Sequence, residues 1–283
     1  MTVLETDARP ALLADGFVFT EGPRWHDGRL WFSDMHGEAV YTSTLAGEVI
    51  PVLRTPGRKP SGLGFLPDGS ALVVSMAERE LLRLASDGSF SVHARLGDLV
   101  DDELNDLVVA ADGTAFVGTY SLEPDTGALL RVTPDGQVSV AAARMSFPNG
   151  TVISPDGRTL TVAESKRRQL TAFDLDAGMN LSGRRVVATT PDAAPDGIAL
   201  DALGGIWAGF PLAHEFRRIL PGGEITDRIH LGERMAIACT LGGPDRRTLF
   251  LLSARDWNSA ALGGARTSVI ETVRVRVPGD GLP

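Results

Sequence analysis

Four residues with strong oxygen donors stand at matching places in a repeating sequence. Asn105 and Asn149 each lie seven residues before an Asp-Gly turn, Asp112-Gly113 and Asp156-Gly157, and Asp196 lies seven before Leu203-Gly204. Glu21 lies six before Asp27-Gly28, in a first unit that is one residue shorter. The same count from Asp68-Gly69 and Asp245-Arg246 reaches Ser61 and Ala238, which add no charge. Two carboxylates and two amides brought to one axis would repel and desolvate badly if nothing joined them. A hard divalent cation resolves that conflict, and an all-oxygen set without cysteine or paired histidine suits Ca²⁺ first, with Mn²⁺, Mg²⁺ or Zn²⁺ as alternatives. Glu strengthens the reading, because Asn and Asp also form ordinary turns whereas Glu does not favour them.

The elements that would position these residues follow from the turns. The six turn pairs are spaced 41, 44, 44, 47 and 42 residues apart. Between them run short β-prone segments such as Ala71-Leu72-Val73-Val74-Ser75 and Thr159-Leu160-Thr161-Val162. Each unit reads as four strands joined by turns, and a period near 40–45 residues with four strands per unit is the signature of a β-propeller. The fold expected is therefore all-β, a six-bladed β-propeller with four antiparallel strands per blade. It spans 1–283 as one domain, with the N-terminal strand around Ala11-Leu12-Leu13-Ala14 closing the last blade. In such a ring the first strand of each blade lines the channel, and the residue just before it lies at one mouth. The loops between second and third strands gather at that mouth, and they carry Met35-His36, Tyr120, Ser165, His214 and Trp257.

Composition narrows the function classes. Lys and Arg number 27 against 36 Asp and Glu, a formal charge of −9, and only Lys59 and Lys166 are lysines. No clustered basic face exists for phosphate, so neither nucleic acid nor an anionic membrane is an expected partner. The start of the chain has no basic stretch followed by an apolar run, and no segment reaches the ~18 apolar residues of a membrane span. A cytoplasmic protein is expected, a monomer or weak homo-oligomer acting on a small molecule. Cys239 is the single cysteine, which excludes an intrachain disulfide. Serine-nucleophile elbows, phosphate loops and His-Glu-x-x-His are absent.

The ordered set Glu21-Gly22-Pro23-Arg24-Trp25, Leu30-Trp31-Phe32-Ser33-Asp34, Leu104-Asn105-Asp106, Asn149-Gly150, Ser154-Pro155-Asp156-Gly157 and Pro195-Asp196-Gly197-Ile198-Ala199-Leu200-Asp201, followed by Leu241-Gly242-Gly243-Pro244-Asp245-Arg246, resembles the regucalcin (senescence marker protein)/gluconolactonase family. Its members are six-bladed propellers that open lactones with a divalent metal. The resemblance implies that Glu21, Asn149 and Asp196 bind the metal, that Asn105 contacts substrate or a metal-bound water, and that Asp196 doubles as general base. Tyr120, Phe147, His214 and Trp257 are expected to wall the pocket. One departure bears on substrate. Members acting on sugar lactones carry Arg-x-Asn-Asp-Gly, and this chain reads Glu103-Leu104-Asn105-Asp106-Leu107. With a cation replaced by Glu103 in the substrate wall, the expected activity is a metal-dependent carboxylic ester hydrolase opening a lactone other than a typical polyhydroxy sugar lactone. Two rivals share the fold: a non-hydrolytic isomerase, cyclase or strictosidine-synthase-like condensing enzyme, and a non-catalytic binding propeller.

Overall fold

The computed structural model describes residues 4–5, 9–85, 87–258 and 264–280. The ends of the 1–283 span therefore lie outside the described residues. Six antiparallel sheets follow one another along the chain, and in each the first strand is the innermost. These innermost strands are Thr20–His26, Pro60–Phe65, Leu104–Val109, Pro148–Ile153, Ile198–Leu200 and Met235–Gly242. This is the six-bladed β-propeller expected from the turn spacing. The sixth blade takes its outermost strand from the N-terminal segment: Ala11–Phe17 pairs antiparallel with Ser268–Arg274, Ala11 opposite Thr272. The ring is thereby held by hydrogen bonds between the two ends of the chain. Leu4–Glu5 adds a parallel edge to Ile225–His230 in the fifth blade.

The turn sequences form hairpins for a local reason. Asp68, Asp112 and Asp156 each accept the backbone N–H two residues on, at 2.9, 2.8 and 3.0 Å. The following Gly69, Gly113 and Gly157 adopt φ of 83°, 90° and 69°, which side-chain-bearing residues rarely do.

The core lies between blades. One apolar cluster fills each of the six interfaces between neighbouring blades. Alternation along Ala71–Ser75 shows how: Ala71 and Val73 face the first blade, Leu72 and Val74 the third. A strand buried on both faces reads as an unbroken apolar run, whereas outermost strands such as Leu181–Thr189 are largely exposed. Burying each such Leu or Val contributes about 1.5–3 kcal/mol, so the inter-blade seams are the main source of stability. Among the described residues the one helical element is the 3₁₀ turn Pro211–Ala213, and no helix is long and apolar enough to cross a membrane.

Candidate active site

Five of the six innermost strands share an irregularity that presents side chains to the channel. Register shifts lie between Glu21 and Arg24, Pro60 and Leu63, Leu104 and Leu107, Pro148 and Thr151, and Ala236 and Ala238. A bulge re-aims the residues it contains; Ser61, Asn105 and Asn149 fall within it, and Glu21, paired opposite Ser33, borders it. Five of the six matched residues therefore belong to their strands, and Asp196 alone precedes its strand, which corrects the expectation that all six stand just ahead. Asp196 is fixed by its backbone instead, its N–H donating to Gly209 O at 2.9 Å. Glycine follows Glu21, Ser61, Asn149 and Asp196, because the next blade's backbone is too close for a side chain. A Cβ on Gly150 would sit 2.4 Å from Ile198 N, and one on Gly62 2.4 Å from Leu107 N.

Glu21, Asn105, Asn149 and Asp196 line one cavity of about 500 Å³. Asn105 donates to Pro148 O at 3.3 Å. Asn149 donates to Ser165 Oγ at 3.3 Å, and that hydroxyl donates to Pro195 O at 2.7 Å. The amide nitrogen of Asn149 is thus spoken for, and its Oδ1 is left for a ligand. Asp196 Oδ1 is buried and has no hydrogen-bond partner. Burial, reinforced by the charge of Asp106, pushes the Asp196 carboxyl up to about 8, against a smaller opposing effect from the Asn149 amide. Burial, then repulsion from Asp196 and Asp106, holds Glu21 well above the usual carboxylate range. The nearest guanidinium, Arg24, is buried and committed elsewhere: it contacts Asp106 at 3.4 Å and donates to Pro23 O and Leu107 O. The floor therefore holds two carboxylates without a protein cation to neutralise them.

A family model described as SMP-30/Gluconolactonase/LRE-like region matches residues 19–255. The chain belongs to this family. Among curated relatives in sequence, a 6-deoxy-6-sulfogluconolactonase of Pseudomonas putida is 28% identical over 208 residues, 71% of this chain and 69% of that protein. A pentonolactonase of Haloferax volcanii is 25% identical over 242 residues, 83% of this chain and 81% of that one. In fold, the chain superposes on regucalcin of Agrobacterium tumefaciens, described as a calcium-binding protein, with a TM-score of 0.81 at 23% identity, covering 96% of this chain and 98% of that one.

The site fits a hard cation in its donor chemistry. Two carboxylates, the Asn149 oxygen and an unpartnered buried Asp196 Oδ1 are what such an ion satisfies. Among the described residues no three His, Cys, Asp or Glu side chains group as metal ligands, so an ion here depends on the Asn149 amide as well as the acids. Cys239 is buried, and burial pushes its thiol up, which removes it as a nucleophile.

The expected wall is met in part. Tyr120, Phe147, Glu103 and Trp257 line the cavity, with the Tyr120 and Phe147 rings edge-on at 4.8 Å. His214 does not line it. It caps the Pro211–Ala213 turn at φ 56°, and this left-handed step takes it away while Pro211 and Leu212 form the wall. Sequence reasoning also missed Lys59, whose Nζ donates to Glu103 at 2.8 and 3.2 Å. Its signal was available: Phe19, Lys59, Glu103, Phe147 and Ala194 each stand two residues before a matched position, and all five line the cavity. The wall at Glu103 is thus a neutral ion pair. The second lysine, Lys166, lines the cavity too, so both lysines of the chain are spent here.

Proposed function

We propose that the protein is a divalent-cation-dependent lactonase, with Ca²⁺ as first choice of ion and Mn²⁺, Mg²⁺ or Zn²⁺ as alternatives. Membership of the family and the lactonase activities named for its relatives support lactone hydrolysis. The observation that carries the cation is the floor itself, where Glu21 and Asp196 meet without a neutralising group and one Asp196 oxygen lacks any partner. Glu21, Asn149 and Asp196 would hold the ion. When bound, it supplies Lewis-acid polarisation of the lactone carbonyl.

The chain's own groups account for the proton movements. Asn105, fixed by Pro148 O, presents its amide to the ring or carbonyl oxygen. Asp196, as carboxylate, takes a proton from water while the water oxygen attacks the carbonyl carbon. The ring C–O bond then breaks, the leaving alkoxide takes the proton back from Asp196, and the hydroxy acid departs. Tyr120, Phe147 and Trp257 exclude water around the ring. Glu103 stands where sugar-lactone members carry arginine, and its pairing with Lys59 leaves no free cation there for sugar hydroxyls, which turns selectivity away from polyhydroxy lactones. The reading includes a single domain, a cytoplasmic setting, a monomer or weak homo-oligomer, and neither nucleic acid nor membrane as a partner.

The test is hydrolysis of a lactone panel by chelator-stripped protein, with and without each of the four cations restored. Activity that returns with a cation and is lost in Asp196→Asn supports the proposal; cation-independent turnover, or turnover retained in the variant, overturns it.

A further inference from the structure

Exposed leucines scattered singly over a surface carry no message. Here they converge. Among the described residues, four large exposed hydrophobics, Tyr120, Leu122, Leu212 and Trp257, line the mouth of the same cavity, with Leu212 69% and Leu122 56% exposed. They arrive from loops of the third, fifth and sixth blades, so no local sequence constraint groups them. Below them the wall continues apolar through Phe19, Met76 and Ile237, all buried. A contiguous apolar surface that leads down to a polar floor is the form of a ligand site rather than of a solvated loop. Its size points the same way: at about 30 Å³ per water, 500 Å³ equals roughly seventeen waters, several times a bare lactone ring.

Resting on the lactonase reading, we infer that the substrate is a lactone whose ring carries an apolar arm of several carbons, seated against Leu122, Leu212 and Trp257 while the ring lies on the floor. The collar is the part of the site that selects substrate. The Lys59–Glu103 pair fits this reading, because a paired lysine and glutamate cost an alkyl or aryl arm less desolvation than Glu103 alone would.

The experiment uses the full chain with Ca²⁺ or Mn²⁺ restored and a series of γ-lactones from the unsubstituted ring to a hexyl-substituted one. The expected result is a kcat/KM that climbs about fourfold per methylene over the first several carbons. In Leu122→Ser/Leu212→Ser that climb flattens, read as the ratio of kcat/KM between the hexyl-substituted and the unsubstituted ring; both residues are exposed, so the fold is not at stake. The same alkyl series as γ-lactams, which resist hydrolysis, is titrated by calorimetry so that the collar is read without turnover. Binding that strengthens along the lactam series while no lactone is hydrolysed sustains the apolar collar and sinks the lactonase reading alone. Hydrolysis or binding without chain-length dependence, or a dependence that the double variant leaves intact, overturns this inference.

Discussion

Carboxylates are withdrawn from bulk water in two regions of the molecule, fully inside the blades and half-buried on the channel floor, and are treated in opposite ways. Within the blades they are paired. Asp201, fully buried, accepts from Arg218 Nε at 2.5 Å. Glu164, also fully buried, accepts from Arg184, Thr171, Gln169 and the Ser146 N–H. Glu215 is held by Arg217 at 2.6 Å and by Arg228. On the channel floor Glu21 and Asp196 have no such partner, although the chain has 27 basic residues to supply one. Asp34, also buried, is satisfied by the backbone N–H groups of Val18, Phe19 and Gly37, so these structural acids have a cation or several donors, whereas Asp196 on the floor keeps one oxygen without any partner. That contrast is the physical case for an exogenous cation: the missing charge is one the protein does not provide itself.

The contrast can be broken or sharpened by substituting one acid from each region. The largest effect expected is on turnover. Asp196→Asn lowers kcat on any lactone substrate about 10²–10⁴-fold, the usual worth of a general base, measured with cation saturating. Next comes Asp201→Asn, which leaves Arg218 buried without its charge partner and costs on the order of 3–5 kcal/mol of unfolding free energy in denaturant titrations. Asp196→Asn in metal-stripped protein goes the other way and stabilises by on the order of 1–3 kcal/mol, since it removes an uncompensated buried charge.

The pH dependence fixes that sign. With its folded value raised to about 8 from 3.8, Asp196 contributes stability that is complete below pH 3.8 and lost as pH rises through 8. The stability advantage of the Asn variant over the wild-type metal-free protein therefore grows from pH 3.8 toward pH 8. The smallest expected effect is in selectivity: Glu103→Arg shifts the ratio of sugar-lactone to alkyl-lactone kcat/KM by roughly tenfold toward the sugar, the scale of a single polar contact. An unchanged ratio would remove Glu103 from the account of specificity.

Much of this was legible in the residues. Four Asp-Gly turns, with Leu203-Gly204 and Asp245-Arg246 continuing their near-constant spacing and β-prone runs between them, specify six blades, because a hairpin's turn chemistry is local. The floor was legible too, since Glu21, Asn105, Asn149 and Asp196 occupy one place in the repeat. Where spacing failed, the deciding physics was not local. The bulges that hold Asn105 and Asn149 within their strands depend on hydrogen bonding to the second strand. The Lys59–Glu103 pair spans two blades and is made by long side chains, whose direction no count along the chain supplies. His214 left the wall through one left-handed backbone step. The apolar collar is visible only once loops from three blades are seen together.

The most direct test of the central claim is calorimetric titration of the chelator-stripped protein with Ca²⁺ at pH 8, with Mn²⁺, Mg²⁺ and Zn²⁺ in parallel. The account predicts a single ion bound per chain, weaker at pH 5 because protons compete for the same carboxylates. Binding is lost in Glu21→Gln and in Asp196→Asn and kept in Glu103→Gln. Flat isotherms with all four cations, or binding undiminished in both floor variants, would contradict it.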